Sequence, residues 1–435
     1  MYLNILIPLT ASLFLVSCAS NQNNSVSSDQ NLQIASSSAF SAIVSTPSLH
    51  GEVTRSRAIK HAVTYSPKLR ALRAELRALH AEVLQAGLRP NPELGLEIEN
   101  FSGSGNTHGF KTAEITAAVS QKLELGGKRA KRHLVANLKA QALTSAIRSM
   151  EQEVTIETDK AFTALLAARK LRLLAEENLA SSQEQVKTLD SLIEAGATSS
   201  IDGNKARLAR SESRELLAEA RSSETSAAAM LSQIWGGGSA NIKATGSLDS
   251  NGLTTTAVNP GIVISKHPSM KSAALVFALN QAIYKLQKAY RISDVSISGG
   301  VRNFGESNDT AAVVGISIPL PLYNKNQGNI RAAEERVDKA RAQGQAVESR
   351  LRLQVTQLNA DLRSAKSRVV EIDSRTVAAA RKALSDTQTA YAAGKKSLLE
   401  YIDARKTLFE IERRQIKARA DLQKASNSLK HFSRN

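Results

Sequence analysis

The sequence has a single cysteine, Cys18, only 4% aromatic residues, one Trp, nine Pro and 23 Gly among its 435 residues. One cysteine excludes a disulfide within the chain and any cysteine-based zinc or iron–sulfur centre. So few aromatic and turn residues argue against a β-sandwich or a doubly wound enzyme. No apolar run after residue 20 approaches the ~20 residues of a membrane-spanning helix, so bilayer contact has to come by another route. Acidic residues are also in deficit, with 40 Asp plus Glu against 57 Lys plus Arg, a balance of +17. What abounds is Ala, Leu, Arg, Lys, Glu and Gln, the residues of long helices.

Catalytic constellations are missing too. His50, His61, His80, His108, His133, His267 and His431 form no HExxH and no close pair, and most are expected at exposed helix positions. The Met residues are too few and scattered for a soft-metal relay. No catalytic residue, cofactor or tight metal site is therefore expected. The excess of Lys and Arg invites a nucleic-acid reading, but these residues are spread along all the helical segments without an aromatic stacking set, so no nucleic-acid partner is expected. Gly126-Gly127-Lys128-Arg129 lacks the upstream Gly and the Ser or Thr of a phosphate loop and reads as a strand-to-helix turn.

The route to the bilayer starts at the N-terminus. Leu3 to Val16 is almost wholly apolar, too short for a stable anchor, and ends in Leu15-Val16-Ser17-Cys18, the shape of a bacterial lipobox. Small Ser17 suits a signal peptidase and the Cys18 thiol accepts a diacylglycerol. Residues 1–17 are thus expected to be a lipoprotein signal peptide and Cys18 the lipidated first residue. Ala19 rather than Asp follows, and the resemblance to bacterial lipoproteins implies sorting to the outer membrane. Residues 18–51, rich in Ser and Asn as far as Ser48, read as a flexible tether.

The remainder is one unit written twice. Ala195-Gly196-Ala197-Thr198-Ser199-Ser200-Ile201 aligns with Ala393-Gly394-Lys395-Lys396-Ser397-Leu398-Leu399 at an offset of 198, and Ala206-Arg207 with Ala404-Arg405 at the same offset. Upstream, Ser66-Pro67 answers His267-Pro268, each opening a helical segment. The first repeat is expected over 52–235 and the second over 260–435, with a polar linker at 236–259 that begins in Gly236-Gly237-Gly238-Ser239.

Within each repeat the periodicity changes in one order. Lys68 to Arg89 is helical until Pro90-Asn91-Pro92. Leu94, Leu96 and Ile98 then alternate with Gly95, Glu97 and Glu99, the pattern of a strand with one apolar face. A second strand runs from about Ala113 to Leu123, and from Lys128 to Ala195 there is no Gly or Pro, which predicts a helix about 100 Å long. Gly196 turns the chain and a helix returns to Trp235. The second repeat follows with a helix to Tyr290, strands near Val295–Phe304 and Ala311–Leu320, one helix from about Asn329 to Ala393, a turn at Gly394 and a last helix to Phe432. Its coiled-coil seam is Val347, Leu351, Val355, Leu358, Leu362, Ala365, Val369 and Ile372. The strands have membrane-crossing length, yet two from each repeat cannot close a barrel, and open edges in lipid would leave amides unpaired at several kcal/mol each. Three copies would supply twelve strands.

Arg89-Pro90-Asn91-Pro92-Glu93-Leu94, Gln121-Lys122-Leu123-Glu124-Leu125-Gly126-Gly127-Lys128-Arg129 and Ile318-Pro319-Leu320-Pro321-Leu322-Tyr323-Asn324-Lys325-Asn326-Gln327-Gly328-Asn329-Ile330 resemble the TolC-type outer-membrane efflux family. They most resemble its CzcC-like branch, which serves heavy-metal RND pumps. The resemblance implies a mainly α protein with a β-barrel portion: a homotrimer with a twelve-stranded outer-membrane barrel and a periplasmic helical tube. It implies as partners a periplasmic membrane-fusion adaptor, an inner-membrane RND transporter and outer-membrane lipid. The cargo would be divalent heavy-metal cations, or alternatively drugs and other small organics. The resemblance also makes the turns at Gly196, Ser199, Gly394 and Ser397 adaptor-docking tips. Glu400 and Asp403, three apart and so on one helix face, match an acidic pair that rings the pore constriction in the family. Tyr391, Lys396 and Asp202 match positions that join neighbouring coils in the closed state. All five also fit as ordinary solvated groups at helix ends. A lipid-anchored periplasmic coiled-coil scaffold remains as an alternative, but it leaves the repeated strand pairs without a role.

Overall fold

The computed structural model of the protein describes residues 49–237, 241–249 and 256–433. The expected signal peptide, Cys18 and the tether as far as Ser48 lie outside the described residues. The chain enters through a short strand, β1 (Gly51–Val53), and the helices α1 (Arg55–Tyr65) and α2 (Pro67–Ala86). Pro67 presets φ at the first helical position, where no amide donor is needed, so α2 restarts directly after α1. Pro90 and Pro92 stop helical hydrogen bonding, and the hairpin β2 (Glu93–Glu99) and β3 (Glu114–Leu123) follows. Gly126 and Gly127, both at positive φ, turn the chain into α3 (Lys128–Glu194), whose 67 residues contain no Gly or Pro. The next helix, α4 (Ser200–Gln233), returns beside it, and β4 (Ile242–Ala244) leads to the second repeat. That repeat comprises α5 (Pro260–Lys266), α6 (Pro268–Ala289), β5 (Val295–Phe304), β6 (Thr310–Ser317), α7 (Gln327–Glu371), α8 (Val377–Ala392) and α9 (Leu398–Ser433).

Four details differ from the sequence reading. The polar linker contains β4, which pairs in parallel with β1, Gly51 opposite Ile242 and Val53 opposite Ala244. The tether accordingly ends before residue 51, and Leu49 is already buried. Three-residue strands are too short to show a period, so the sequence carried no signal for them. The expected single helix from Asn329 to Ala393 is interrupted by a π-helical turn, Ile372–Thr376, between α7 and α8. Strand β6 stops at Ser317, short of Leu320, because Pro319 has no amide to give the ladder. Lastly, three of the histidines are not exposed: His61 packs against the rings of Tyr65 and Trp235, His267 is buried as the cap of α6, its Nδ1 accepting from the Ser269 amide at 3.2 Å, and His431 meets Asp159 in the interior.

The longer strands form one sheet in the order β2-β3-β5-β6, each neighbouring pair antiparallel. Register aligns Leu94, Val119, Gly299 and Val314 in one row and Leu96, Ala117, Val301 and Ala312 in the next. This face is apolar yet open, with Leu94 and Val314 each 79% exposed. The opposite face carries Glu97, Thr116 and Arg302, and Arg302 reaches Glu99 and Glu114 at 2.9 Å each. Apolar outward and polar inward alternation is what a lipid-facing sheet around an aqueous lumen requires. Among the described residues no helix is long and apolar enough to cross a membrane.

The main core lies where β1 and β4 pack on α1, α3 and α4, around Val53, Phe162, Leu165, Leu231 and Trp235. Leu351, Val355, Leu362, Ala365 and Val369 of the expected seam are buried; the last three pack on Ala418, Leu422 and Leu429 of α9. Beside the main core a buried carboxylate, Asp159, ties three helices. Arg55 of α1 donates to it at 2.5 Å, His431 of α9 lies at 2.8 Å and Asn427 donates at 3.3 Å. Burial raises the Asp159 pKa, but the bonds to His431 and Arg55 outweigh it and hold the carboxyl below its ordinary value.

A depressed folded-state pKa means that Asp159 contributes stability above its unfolded value of about 3.9, and that this is lost as pH falls through the lower folded value. Asp159→Asn should therefore destabilise the protein by ~3 kcal/mol at pH 7, since it strands the Arg55 charge. The gap between variant and wild type in thermal unfolding should close as the pH is lowered below about 4.

Candidate functional site

The two helical hairpins, α3–α4 and α8–α9, end in turns built alike. At the first, Gly196 has φ +70, its amide donates to Ile193 O at 2.9 Å and the Ala197 amide to Leu192 O at 2.8 Å. At the second, Gly394 has φ +71, with Gly394 N to Tyr391 O at 2.9 Å and Lys395 N to Ala390 O at 2.8 Å. Both are Schellman caps, in which a left-handed glycine lets the last helical carbonyls find donors. Each returning helix then starts on a serine. Ser199 Oγ accepts from the Ile201 amide at 3.1 Å. Ser397 Oγ accepts from the Glu400 amide at 3.3 Å while the Glu400 carboxylate accepts from the Ser397 amide at 2.9 Å, a reciprocal capping box.

Glu400 also pairs with Lys396 on the same turn. Lys396 and the Ser397 donors pull its pKa down to about 2. Asp202 pairs with Lys205 of its own helix at 3.5 Å. Lys396 and Asp202 thus each have a charged partner at their own helix end. Asp403 is exposed, with no ion-pair partner among the described residues. The offset of 198 places Asp202 and Lys205 where the second repeat has Glu400 and Asp403. One tip therefore carries an ion pair where the other carries two carboxylates.

Tyr391 stacks on Tyr401 across the second turn, ring centroids 5.7 Å apart and planes 8° from parallel. Burial, the Asp202 charge and Tyr401 together raise the Tyr391 pKa. The equivalent residues of the first repeat, Ile193 and Gly203, also touch: a Cβ on Gly203 would lie 2.6 Å from Ile193 Cδ1. Val186, Leu189, Ala206 and Leu398 make an apolar contact between the hairpins, with Tyr391, Tyr401 and Ile402 against it. An open groove of about 380 Å3 beside it is lined by Glu184, Leu192, Gln388, Tyr391 and Tyr401. Sequence reasoning missed Tyr401, because its stacking partner is brought close only by the turn. It also missed Arg405, which donates across the hairpins to Ser181 and Ser182.

A second cluster joins sheet to tube. The Lys128 ammonium, buried at the start of α3, donates to Ile292 O and to Asp294 at 2.6 Å each, and the Leu125 amide also donates to Asp294 at 3.1 Å. In the second repeat Asn326, at φ +59, opens α7 and donates to Gln287 O at 2.8 Å. The Gly-Gly-Lys and Pro-Leu-Pro-Leu motifs are thus the two barrel-to-helix joints.

An open sheet with an apolar outer face, continued by two helical hairpins whose longer arms span about 100 Å, defines the class of channel-forming outer-membrane proteins. A model of the outer membrane efflux protein family matches residues 58–237 and 260–432, and the chain belongs to that family. It is an outer-membrane efflux channel protein and not an enzyme. The cobalt-zinc-cadmium resistance protein CzcC of Cupriavidus metallidurans is 26% identical over 361 residues, 83% of this chain and 85% of that protein. The nickel-cobalt-cadmium resistance protein NccC of Alcaligenes xylosoxydans xylosoxydans is 29% identical over 316 residues, 72% and 70% of the two chains. Among solved structures, the outer membrane protein VceC of Vibrio cholerae superposes with a TM-score of 0.72 at 18% identity, covering 87% of this chain and 95% of that one. CusC gives 0.72 at 19% identity, covering 88% and 92%.

Because the Glu400 pKa lies well below its unfolded value, its contribution to the cap is complete above that unfolded value and is lost as the pH falls from there to about 2. Amide protection over residues 397–401 should be independent of pH between about 7 and 5 and fall below that. Glu400→Ala should lower that protection roughly tenfold, whereas Glu400→Gln, which can still complete a capping box, should largely keep it. Hydrogen exchange followed by mass spectrometry reads both.

Proposed function

We propose that the protein is the outer-membrane conduit of a tripartite efflux system, assembled as a homotrimer, and that its cargo is divalent heavy-metal cations. The observation that carries this reading is the open four-stranded sheet, whose edges β2 and β6 pair with no further strand among the described residues and whose apolar face is exposed. In lipid, only closure removes such edges, and three copies of four strands give a twelve-stranded barrel. Six helical hairpins then descend from the barrel as a tube. A periplasmic membrane-fusion adaptor docks at the tips around Gly196, Ser199, Gly394 and Ser397, and an inner-membrane RND transporter loads the conduit. Lipidated Cys18 anchors each N-terminus in the outer membrane. The metal cargo is supported by the relatives, which are named for resistance to cobalt, zinc, cadmium and nickel.

In this reading Glu400 and Asp403 from each copy ring the constriction and favour cations. Tyr391, Lys396 and Asp202 hold the tips together, and adaptor docking exchanges these contacts so that the hairpins part.

A strain lacking the gene should become sensitive to one or more of Co, Zn, Cd, Ni, Cu and Ag and keep its drug tolerance. Sensitivity confined to the drug panel would move the cargo to organic molecules. The purified protein should migrate as a heat-modifiable trimer from the outer-membrane fraction, whereas a monomer that is soluble once its lipid is removed would favour the scaffold. Reversing Glu400 and Asp403 to Lys should reduce cation preference in planar bilayers; unchanged conductance, selectivity and efflux would remove the gate assignment.

A further inference from the structure

Arg207 and Arg405 occupy the same place in the two repeats, at the offset of 198. Arg207 donates to Asp190 at 2.6 Å and so fastens its own hairpin, α4 to α3. The residue equivalent to Asp190 is Gln388, which offers no charge. Arg405 accordingly turns away from its own hairpin. Its guanidinium is half-buried and donates to Ser182 Oγ at 2.5 Å and Ser181 Oγ at 3.2 Å, both on α3 of the other hairpin. Burial pushes its pKa down, and only the Tyr401 hydroxyl opposes this. The nearby carboxylates are committed elsewhere, Glu212 to Lys406 at 3.3 Å and Glu410 to Arg413 at 2.8 Å. Ser182 in turn lies 2.9 Å from Ser213 Oγ of α4, which accepts from Asn178 at 3.1 Å.

We propose that Arg405 is a positioning residue for the channel gate, a tie from the second hairpin to the first that is kept weak because the repeat has replaced its counter-ion by Gln388. A dehydrated guanidinium held only by neutral hydroxyls loses little when it is rehydrated, whereas one paired with a carboxylate loses a charge-assisted bond. The contact therefore breaks readily when the hairpins part. This rests on the reading that the hairpins part to open the tube.

Two substitutions add the same charge on opposite sides of Arg405. Ser182→Asp supplies a counter-ion on the first hairpin and should tighten the tie, lowering open probability in planar bilayers roughly tenfold, the scale of one partly buried charged hydrogen bond. Gln388→Asp restores the pairing seen at Asp190 and should draw Arg405 back to its own hairpin, raising open probability by a similar factor. A general effect of added negative charge would move both variants in one direction. In an Arg405→Gln background the opposition between them should vanish, while Arg405→Lys should keep it. Heat stability of the assembled protein reports whether each variant folds. Equal shifts in the two variants, or opposite shifts that persist without Arg405, would overturn the inference. A wild-type protein that forms no pore would instead overturn the conduit reading on which it rests.

Discussion

The antiparallel pairing of β3 with β5 is the constraint on which the rest of this molecule depends. It runs from Glu114 opposite Phe304 to Leu123 opposite Val295 and is the only strand pairing of the four-stranded sheet that crosses from one repeat to the other. Because it fixes the two hairpins side by side, the helices that follow β3 and β6 leave the sheet at one end. The Lys128 ammonium beneath the junction bonds Asp294 and Ile292 of the second repeat, so strand pairing is continued into the helical part by a buried ion pair. Gly300 shows how close the approach is: a Cβ there would meet the carbonyl of Ala117 at 2.2 Å. A side chain at that position would part the two repeats.

On this common frame the tips of the two repeats have diverged in charge and not in backbone. The Schellman turns at Gly196 and Gly394 are superimposable in their hydrogen bonds, yet Asp202 and Lys205 face Glu400 and Asp403 across the repeat relation. Likewise Arg207 has Asp190, and Arg405 has Gln388. In the first hairpin Asp202 and Arg207 both find charged partners within the hairpin. In the second, Asp403 has no ion-pair partner among the described residues and Arg405 is held only by hydroxyls. The second hairpin also contains the π-helical turn at Ile372–Thr376, where Asp373 accepts from Gln415 at 2.7 Å and Arg419 at 3.2 Å.

Much of the architecture was legible because it rests on periodicity and punctuation. Alternation over Leu94, Leu96 and Ile98 marked a strand, the absence of Gly and Pro between Lys128 and Ala195 marked a long helix, and the matching glycines marked the repeat. The motifs around Gly126 and Pro319 carried the family. The site was legible only in part. Glu400 stood out as an acidic residue three before Asp403, but its capping bond to Ser397 and its pairing with Lys396 show that much of its carboxylate is engaged locally.

Sequence alone determined the order of the long helices and strands, the doubling of the unit and the positions of its turns, because these follow from local propensity and from the spacing of apolar residues. Tertiary structure alone decided what the charged and aromatic residues do. Asp159 meets His431, Lys128 meets Asp294 and Arg405 meets Ser182 across separations that no local pattern encodes. Partners so distant in the chain are chosen by which helices the sheet brings together, and the energy of a buried charge depends on that choice.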